Sequence, residues 1–250
     1  MSRLYGQNAV EDLLNTHPAA IARVLIVRGA AKLDTFATMV RDQGIPVKEV
    51  APEELKRRSG GRGAVSVGAD LRYAPPSDVQ TLAALAPEAP FIIALDGVTD
   101  PHNLGAIMRS AAAFGAAAVL TTERRSAPLN DAAVRASAGA VAHVPLVRVT
   151  NLARALRDLQ KAGYWVVASM AEGGQPLWRL DLTGAIIVIV GAEGAGVRPG
   201  VAQTSDFSAT LPLPGPIQSL NASVFAGIAA SEVARQRASA ATTALSSNGT

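Results

Sequence analysis

The sequence predicts an α/β protein: a mostly parallel sheet with helices on both faces in its C-terminal part, preceded by a smaller α/β unit. Two observations carry this. From residue 91 onward, short runs of apolar residues recur between helical patterns, too uniform to be half-exposed strands. Ahead of that region, Pro75-Pro76 and the Pro87-Glu88-Ala89-Pro90 cluster break any helix or central strand and read as a boundary. The expected division is a first unit over residues 1–73, a linker over 74–88, the main domain over 89–238 and a frayed, small-residue tail over 239–250.

In the first unit, Ala9, Val10, Leu13 and Leu14 fall at helical spacing after Gly6-Gln7-Asn8. Residues 24–27 form a strand ending at Gly29, and Leu33, Phe36 and Val40 mark a helix closed by Gly44. Residues 47–50 are a short strand. Pro52-Glu53-Glu54 opens a helix with acids at its positive end, and residues 64–67 form another strand. Lys56, Arg57, Arg58 and Arg62 flank Ser59-Gly60-Gly61. This cluster reads either as an ordinary solvated helix end or as a basic loop that approaches a nucleic-acid backbone.

In the main domain, strands are expected at 91–95, 116–120, 144–149, 165–168, 186–190 and 207–213. Helices are expected at 100–114, 130–138 and 151–162, the last capped by Asn151 and stopped by Gly163. The final helix is placed from about Ser219 to Arg237. In such sheets, ligands sit beyond the carboxyl ends of the strands.

The chain has 250 residues, 49% of them apolar, and no cysteine. That excludes disulfides, thiolate metal sites and a cysteine nucleophile, and it suits a reducing cytosol. His17, His102 and His143 are scattered, so no metal site is expected. No apolar run reaches membrane-spanning length, and the N-terminus lacks the pattern of a signal peptide, so a cytoplasmic location is expected. Only Lys32, Lys48, Lys56 and Lys161 of the 23 basic residues are lysine; the rest are arginine, whose planar fork matches phosphate.

Three segments carry candidate chemistry. Asp100-Pro101-His102-Asn103-Leu104-Gly105-Ala106-Ile107-Met108-Arg109 follows a strand and enters a helix. Asp100 suits the cap and Pro101 the first helical position. Asn103 and Arg109 lie off the apolar stripe. Gly191-Ala192-Glu193-Gly194-Ala195-Gly196 ends a buried strand. It is not a dinucleotide fingerprint, because Pro199 stands where a small residue is needed, and it lacks the Gly-Lys-Ser/Thr of a phosphate loop. Its glycines suit either a plain turn or close approach of a flat ligand to bare backbone. The third segment, 211–221, holds Pro212, Pro214 and Pro216 in a stiff loop, then Ser219-Leu220-Asn221, where Ser219 or Asn221 also suits a helix cap.

Together these segments resemble the SpoU-type (TrmH-like) RNA ribose 2′-O-methyltransferases of the SPOUT class. Asp100 to Arg109 matches the first motif, Gly191, Glu193 and Gly196 the second, and Ser219 to Asn221 the third. The likeness continues through Arg125 to Asn130, Ala136 to Ala140 and Val144-Pro145-Leu146, and it is nearest to bacterial 23S rRNA guanosine-2′-O-methyltransferases of the RlmB type. The resemblance implies S-adenosyl-L-methionine as cofactor, a trefoil knot from about residue 185 onward, and a homodimer in which the partner contributes to each site. It implies a ribosomal-protein-like RNA-binding fold for the first unit, and rRNA as substrate. Gly191, Leu211 and Leu220 match cofactor-contacting positions; Asn103, Arg109, Glu193, Ser219 and Asn221 match catalytic or motif positions. Arg57, Arg58, Arg62 and Arg125 are the expected RNA contacts.

The sequence departs from the family pattern at Gly61-Arg62-Gly63-Ala64-Val65, at Leu213 and at Ala222. None of these falls on a position assigned to catalysis. The alternatives are a tRNA or other-site rRNA enzyme of the same family, or a non-catalytic RNA-binding assembly factor that kept the fold.

Overall fold

Branched side chains are stiff at χ1 and pack well on a pleat, and they dominate the strands here. The computed structural model describes residues 3–16, 18–59, 65–72 and 77–247. The first sheet takes β1 (Arg3–Tyr5), β2 (Ile21–Val27), β3 (Val47–Val50) and β4 (Val67–Leu71) in the order β1-β4-β2-β3. β2 runs parallel to β3, and β4 runs antiparallel to both of its neighbours. Helices α1 (Gln7–Thr16), α2 (Asp34–Asp42) and α3 (Pro52–Arg58) complete this unit. Its last strand begins at Val67, later than expected; Ala64 and Arg62 lie outside the described residues.

The main domain holds α4 (Val79–Ala84), β5 (Phe91–Asp96), α5 (Pro101–Ala113), β6 (Ala118–Thr122), α6 (Asp131–Ala136), β7 (Leu146–Val149) and α7 (Leu152–Lys161). Then come β8 (Trp165–Ser169), β9 (Gln175–Pro176), β10 (Ile186–Gly191), α8 (Pro199–Ala202), β11 (Phe207–Thr210) and α9 (Ala222–Ser247). The sheet order is β7-β6-β5-β10-β8-β11-β9, and every pairing is parallel.

Alternation along β5 separates the two layers. Phe91, Ile93 and Leu95 pack with Leu104, Ile107 and Met108 of α5, Val134 of α6 and Ala226 of α9. Ile92 and Ala94 pack with Leu82 of α4, Leu156 and Leu159 of α7 and Val201 of α8. The first layer is continuous with Leu4, Val10 and Ile21 of the first unit. α5 and α6 meet closely because Gly105 has no side chain: a Cβ there would stand 2.3 Å from the Ala133 carbonyl oxygen.

Several boundaries differ from the sequence reading, and two of them border the site. β11 stops at Thr210, short of the proline-rich loop, because proline cannot donate to a ladder. The last helix begins at Ala222, not Ser219, and runs to Ser247, past the expected end at Arg237. The small residues read as a frayed tail are rich in alanine, the strongest helix former. In the segment between the sheets, the short apolar helix pattern bracketed by the prolines is α4, which buries Leu82 against α7. Among the described residues, no helix is long and apolar enough to cross a membrane.

Tyr164 pins α4 to the sheet by donating its hydroxyl to the Leu82 carbonyl at 2.6 Å. Burial pushes its hydroxyl up to about 12. The folded chain thus keeps this proton where the unfolded chain has lost it. The contribution is complete below pH ~10, the ordinary tyrosine value, and fades as pH rises towards 12. Tyr164→Phe should lower stability at neutral pH by about 1 kcal/mol and flatten the loss between pH 10 and 12. Urea melts across that range check both outcomes.

Candidate active site

β5 and β10 run side by side in register, ending with Gly191 opposite Asp96. The chain moves outward from β5 to β6 and β7, then resumes on the far side of β10 at β8. The crevice at the carboxyl ends of β5 and β10 is therefore a topological switch point, where open parallel sheets bind ligands. Three segments of chain enter it.

The first is the start of α5. The Asp100 side chain accepts from the His102 amide at 3.0 Å, and Pro101 occupies the first turn. Asn103 is thereby placed near the crevice, half-buried. The second is the loop after β10. Two backbone bonds between Ala192 and Gly196, at 3.1 and 2.8 Å, close its neck. Gly194 and Gly196 take φ of +74° and +64°, a region that side chains disfavour. At Gly191 a Cβ would lie 2.2 Å from the Gly196 carbonyl carbon, so only glycine fits. Glu193 sits exposed on the loop. The third is the approach to α9. Asn221 accepts from the Ser223 amide at 2.8 Å and from its hydroxyl at 2.6 Å, so it caps the helix.

The same Asn221 joins the other two segments. Its amide donates to Glu193 Oε1 at 2.5 Å and to Asn103 Oδ1 at 3.0 Å. The Asn103 amide donates to Glu193 Oε1 at 2.9 Å. Turning the Asn221 amide over would set its oxygen against the carboxylate and its nitrogen against the Ser223 amide, so the network fixes its orientation.

The other expected residues are not in this network. Arg109 lies about 9 Å further along α5. It is exposed, with no hydrogen bond or ion pair among the described residues. Ser219 is exposed, and Leu211 and Leu220 are half-buried in the loop before α9. Arg57 is exposed; Arg58 pairs with Glu54, and its carbonyl accepts from the Tyr5 hydroxyl at 2.6 Å. Arg125 is exposed with φ of +57°, in the loop after β6 that Arg148 braces through Ser126 and the Ala127 carbonyl. Among the described residues, no group of His, Asp and Glu could hold a metal ion.

Sequence reasoning passed over Asp96 and Arg198. Asp96 is fully buried at the end of β5 and accepts from the Arg198 amide at 2.8 Å, from Nε at 2.8 Å and from Nη2 at 2.6 Å. These hydrogen bonds hold the Arg198 guanidinium above its ordinary value. The available signal was a carboxylate ending a wholly apolar strand.

The SpoU rRNA methylase family model matches residues 90–231, and a model for RNA 2′-O ribose methyltransferase substrate binding matches residues 3–63. The chain belongs to the SpoU methylase family. It is an S-adenosylmethionine-dependent RNA ribose 2′-O-methyltransferase. The 23S rRNA (guanosine-2′-O-)-methyltransferase RlmB of Escherichia coli K12 is 38% identical over 241 residues, covering 94% of this chain and 98% of that one. Its counterpart from Pseudomonas putida is 36% identical over 241 residues, covering 95% and 97%. An AdoMet-bound rRNA methyltransferase from Sinorhizobium meliloti superposes with a TM-score of 0.67 at 26% identity, covering 94% of this chain and 87% of that one. The SpoU methyltransferase AviRb from Streptomyces viridochromogenes shares the fold, with a TM-score of 0.70 at 24% identity over 95% of this chain and 90% of that one.

The crevice fits the SpoU cofactor. A Cβ built on Gly194 or Gly196 meets open space, so bare backbone faces outward there. Among the described residues, no backbone hydrogen bond engages Leu211 to Leu220, leaving their polar groups for a ligand. Gly191→Ala should force the loop neck apart, because the contacted atoms are backbone and cannot swing away. Overpacking of this kind costs ~1–3 kcal/mol. The expected outcome in calorimetric titration is S-adenosylmethionine affinity weakened at least tenfold, with a lowered melting temperature.

Proposed function

We propose that this SpoU enzyme methylates the 2′-hydroxyl of a guanosine in 23S rRNA, in the cytoplasm, as a homodimer. The observation that carries the catalytic reading is the junction of Asn103, Glu193 and Asn221 at the switch point, with Arg109 exposed and unpaired among the described residues. The substrate reading rests on near-complete coverage by the RlmB relatives and on the substrate-binding match over residues 3–63.

When bound, S-adenosylmethionine supplies the sulfonium methyl group. Gly191, Leu211 and Leu220 hold the cofactor, largely through backbone. The family's knot would lie where the chain passes from β10 to β11 and returns through α9. Asn103, Glu193 and Asn221 keep the three loops in one arrangement, and Ser219 orients the ribose. The ribose 2′-oxygen would take that methyl group as the donor's carbon–sulfur bond breaks to leave a thioether, and the 2′-proton would pass to solvent water. A neutral alcohol is a poor nucleophile until polarised. Arg109 grips the adjacent phosphate and stabilises the developing 2′-oxyanion; its pKa, above ~12, disfavours a role as proton acceptor. Its distance from the junction is explained if it serves the partner subunit's cofactor site. Arg57, Arg58, Arg62 and Arg125 form the RNA-binding surface.

Arg109→Ala should lower turnover on 23S rRNA by about 10²–10³, the loss seen when one oxyanion donor is removed, with cofactor affinity unchanged. Mixed dimers of Arg109→Ala and Glu193→Gln should regain activity if the arginine acts across subunits. Near-normal turnover by Arg109→Ala would overturn its role. Mapping 2′-O-methyl groups in rRNA from a deletion strain checks the substrate: a guanosine in 23S rRNA should lose its methyl group.

A further inference from the structure

We propose that Asp96 is a positioning residue for methyl transfer: its carboxylate holds the exit of the loop over residues 192–197 at the end of β5, where strand register already fixes the entry. The inference rests on the cofactor role assigned to that loop. Along β5, alternation puts Asp96 on the same face as Ile92 and Ala94, the face covered by α7 and α8. Its surface is fully buried. A buried carboxylate without partners is strongly unfavourable, so such a residue is tolerated only where donors converge on it.

Among the described residues, the three donors to Asp96 all come from Arg198. Its guanidinium uses Nε and Nη2 on one carboxylate oxygen, and its amide binds the other. Arginine suits this place because its fork is planar and pre-organised. The position of the two residues gives the contact its consequence. The loop begins just after Gly191, which is the register partner of Asp96. It ends at Val197, the residue before Arg198. Strand register thus fixes the entry at the end of β5, and the Asp96 carboxylate ties the exit to the same place. Between them, the Ala192–Gly196 bridge closes the neck, and the missing Cβ of Gly191 allows the two strands of the neck to touch.

Glu193 inherits its position from this closure. Releasing Arg198 would free the exit of the loop, and the carboxylate that joins Asn103 to Asn221 would lose its fixed place. The cofactor would then meet a mobile loop and bind more weakly. Asp96 itself touches neither cofactor nor RNA in this account. The half-exposed Arg198 side chain, 51% accessible, can be replaced without opening the core.

The test compares Asp96→Asn, Arg198→Lys and Arg198→Ala with the wild type, without RNA. The readouts are amide hydrogen exchange at Ala192 and Gly196 and calorimetric affinity for S-adenosylmethionine. In Asp96→Asn, exchange at both amides should quicken, and the cofactor Kd should rise about tenfold, as expected for losing hydrogen bonds to a charge. Arg198→Lys, which keeps charge but loses the fork, should fall between the wild type and Arg198→Ala. Should Asp96→Asn fail to fold, the two Arg198 variants give the same readouts. Unchanged exchange would overturn the proposal. So would faster exchange with unaltered cofactor affinity, since the pair would then be structural only. If the wild-type enzyme failed to methylate rRNA, the substrate reading would fall, while these two readouts would still decide the role of Asp96.

Discussion

The structure depends on one carboxylate shared between two amides. Glu193 accepts from Asn103 and Asn221, and Asn221 also donates to Asn103. These side chains lie 90 and 28 residues from Glu193 along the chain. Each comes from a different kind of element: a helix start, a glycine loop and a helix cap. Loops after parallel strands are free to drift unless something ties them, and a closed triangle of hydrogen bonds leaves few arrangements open. Because Asn221 caps α9 at the same time, the orientation of the last helix and the order of the site are one constraint.

What lets the triangle form lies below it, in the sheet. β10 sits between β5 and β8, so its loop emerges beside the start of α5 rather than at an edge. Register pairing brings Gly191 level with Asp96. The absent side chain at Gly191 lets the loop fold back on itself, and Gly105 lets α5 settle on α6. Neither glycine is there for flexibility; each makes room for a backbone approach.

Much of this was legible in sequence. Uniform apolar runs gave the parallel strands, and the caps Asp100 and Asn151 gave helix starts. Three ordered motifs pointed to Asn103, Glu193 and Asn221 as belonging together. Their direct hydrogen bonding was not legible, because periodicity says which face a residue takes and not what meets it there. The Asp96–Arg198 pair was missed for the same reason: its partners are 102 residues apart, and neither matched a motif on which the reading relied. The end of α9 was missed because alanine-rich, small-residue sequence reads as loop composition even though alanine favours helix.

The central claim is that the three side chains act as one unit. A double-mutant cycle on Asn103→Ala and Asn221→Ala, read as kcat/KM for methyl transfer, tests it most directly. Coupling is predicted: each single change should remove nearly the whole contribution, and the double mutant should be little worse than either, departing from additivity by at least about fivefold. Losses that simply multiply would show that the two amides act independently, and the account of the site would be wrong.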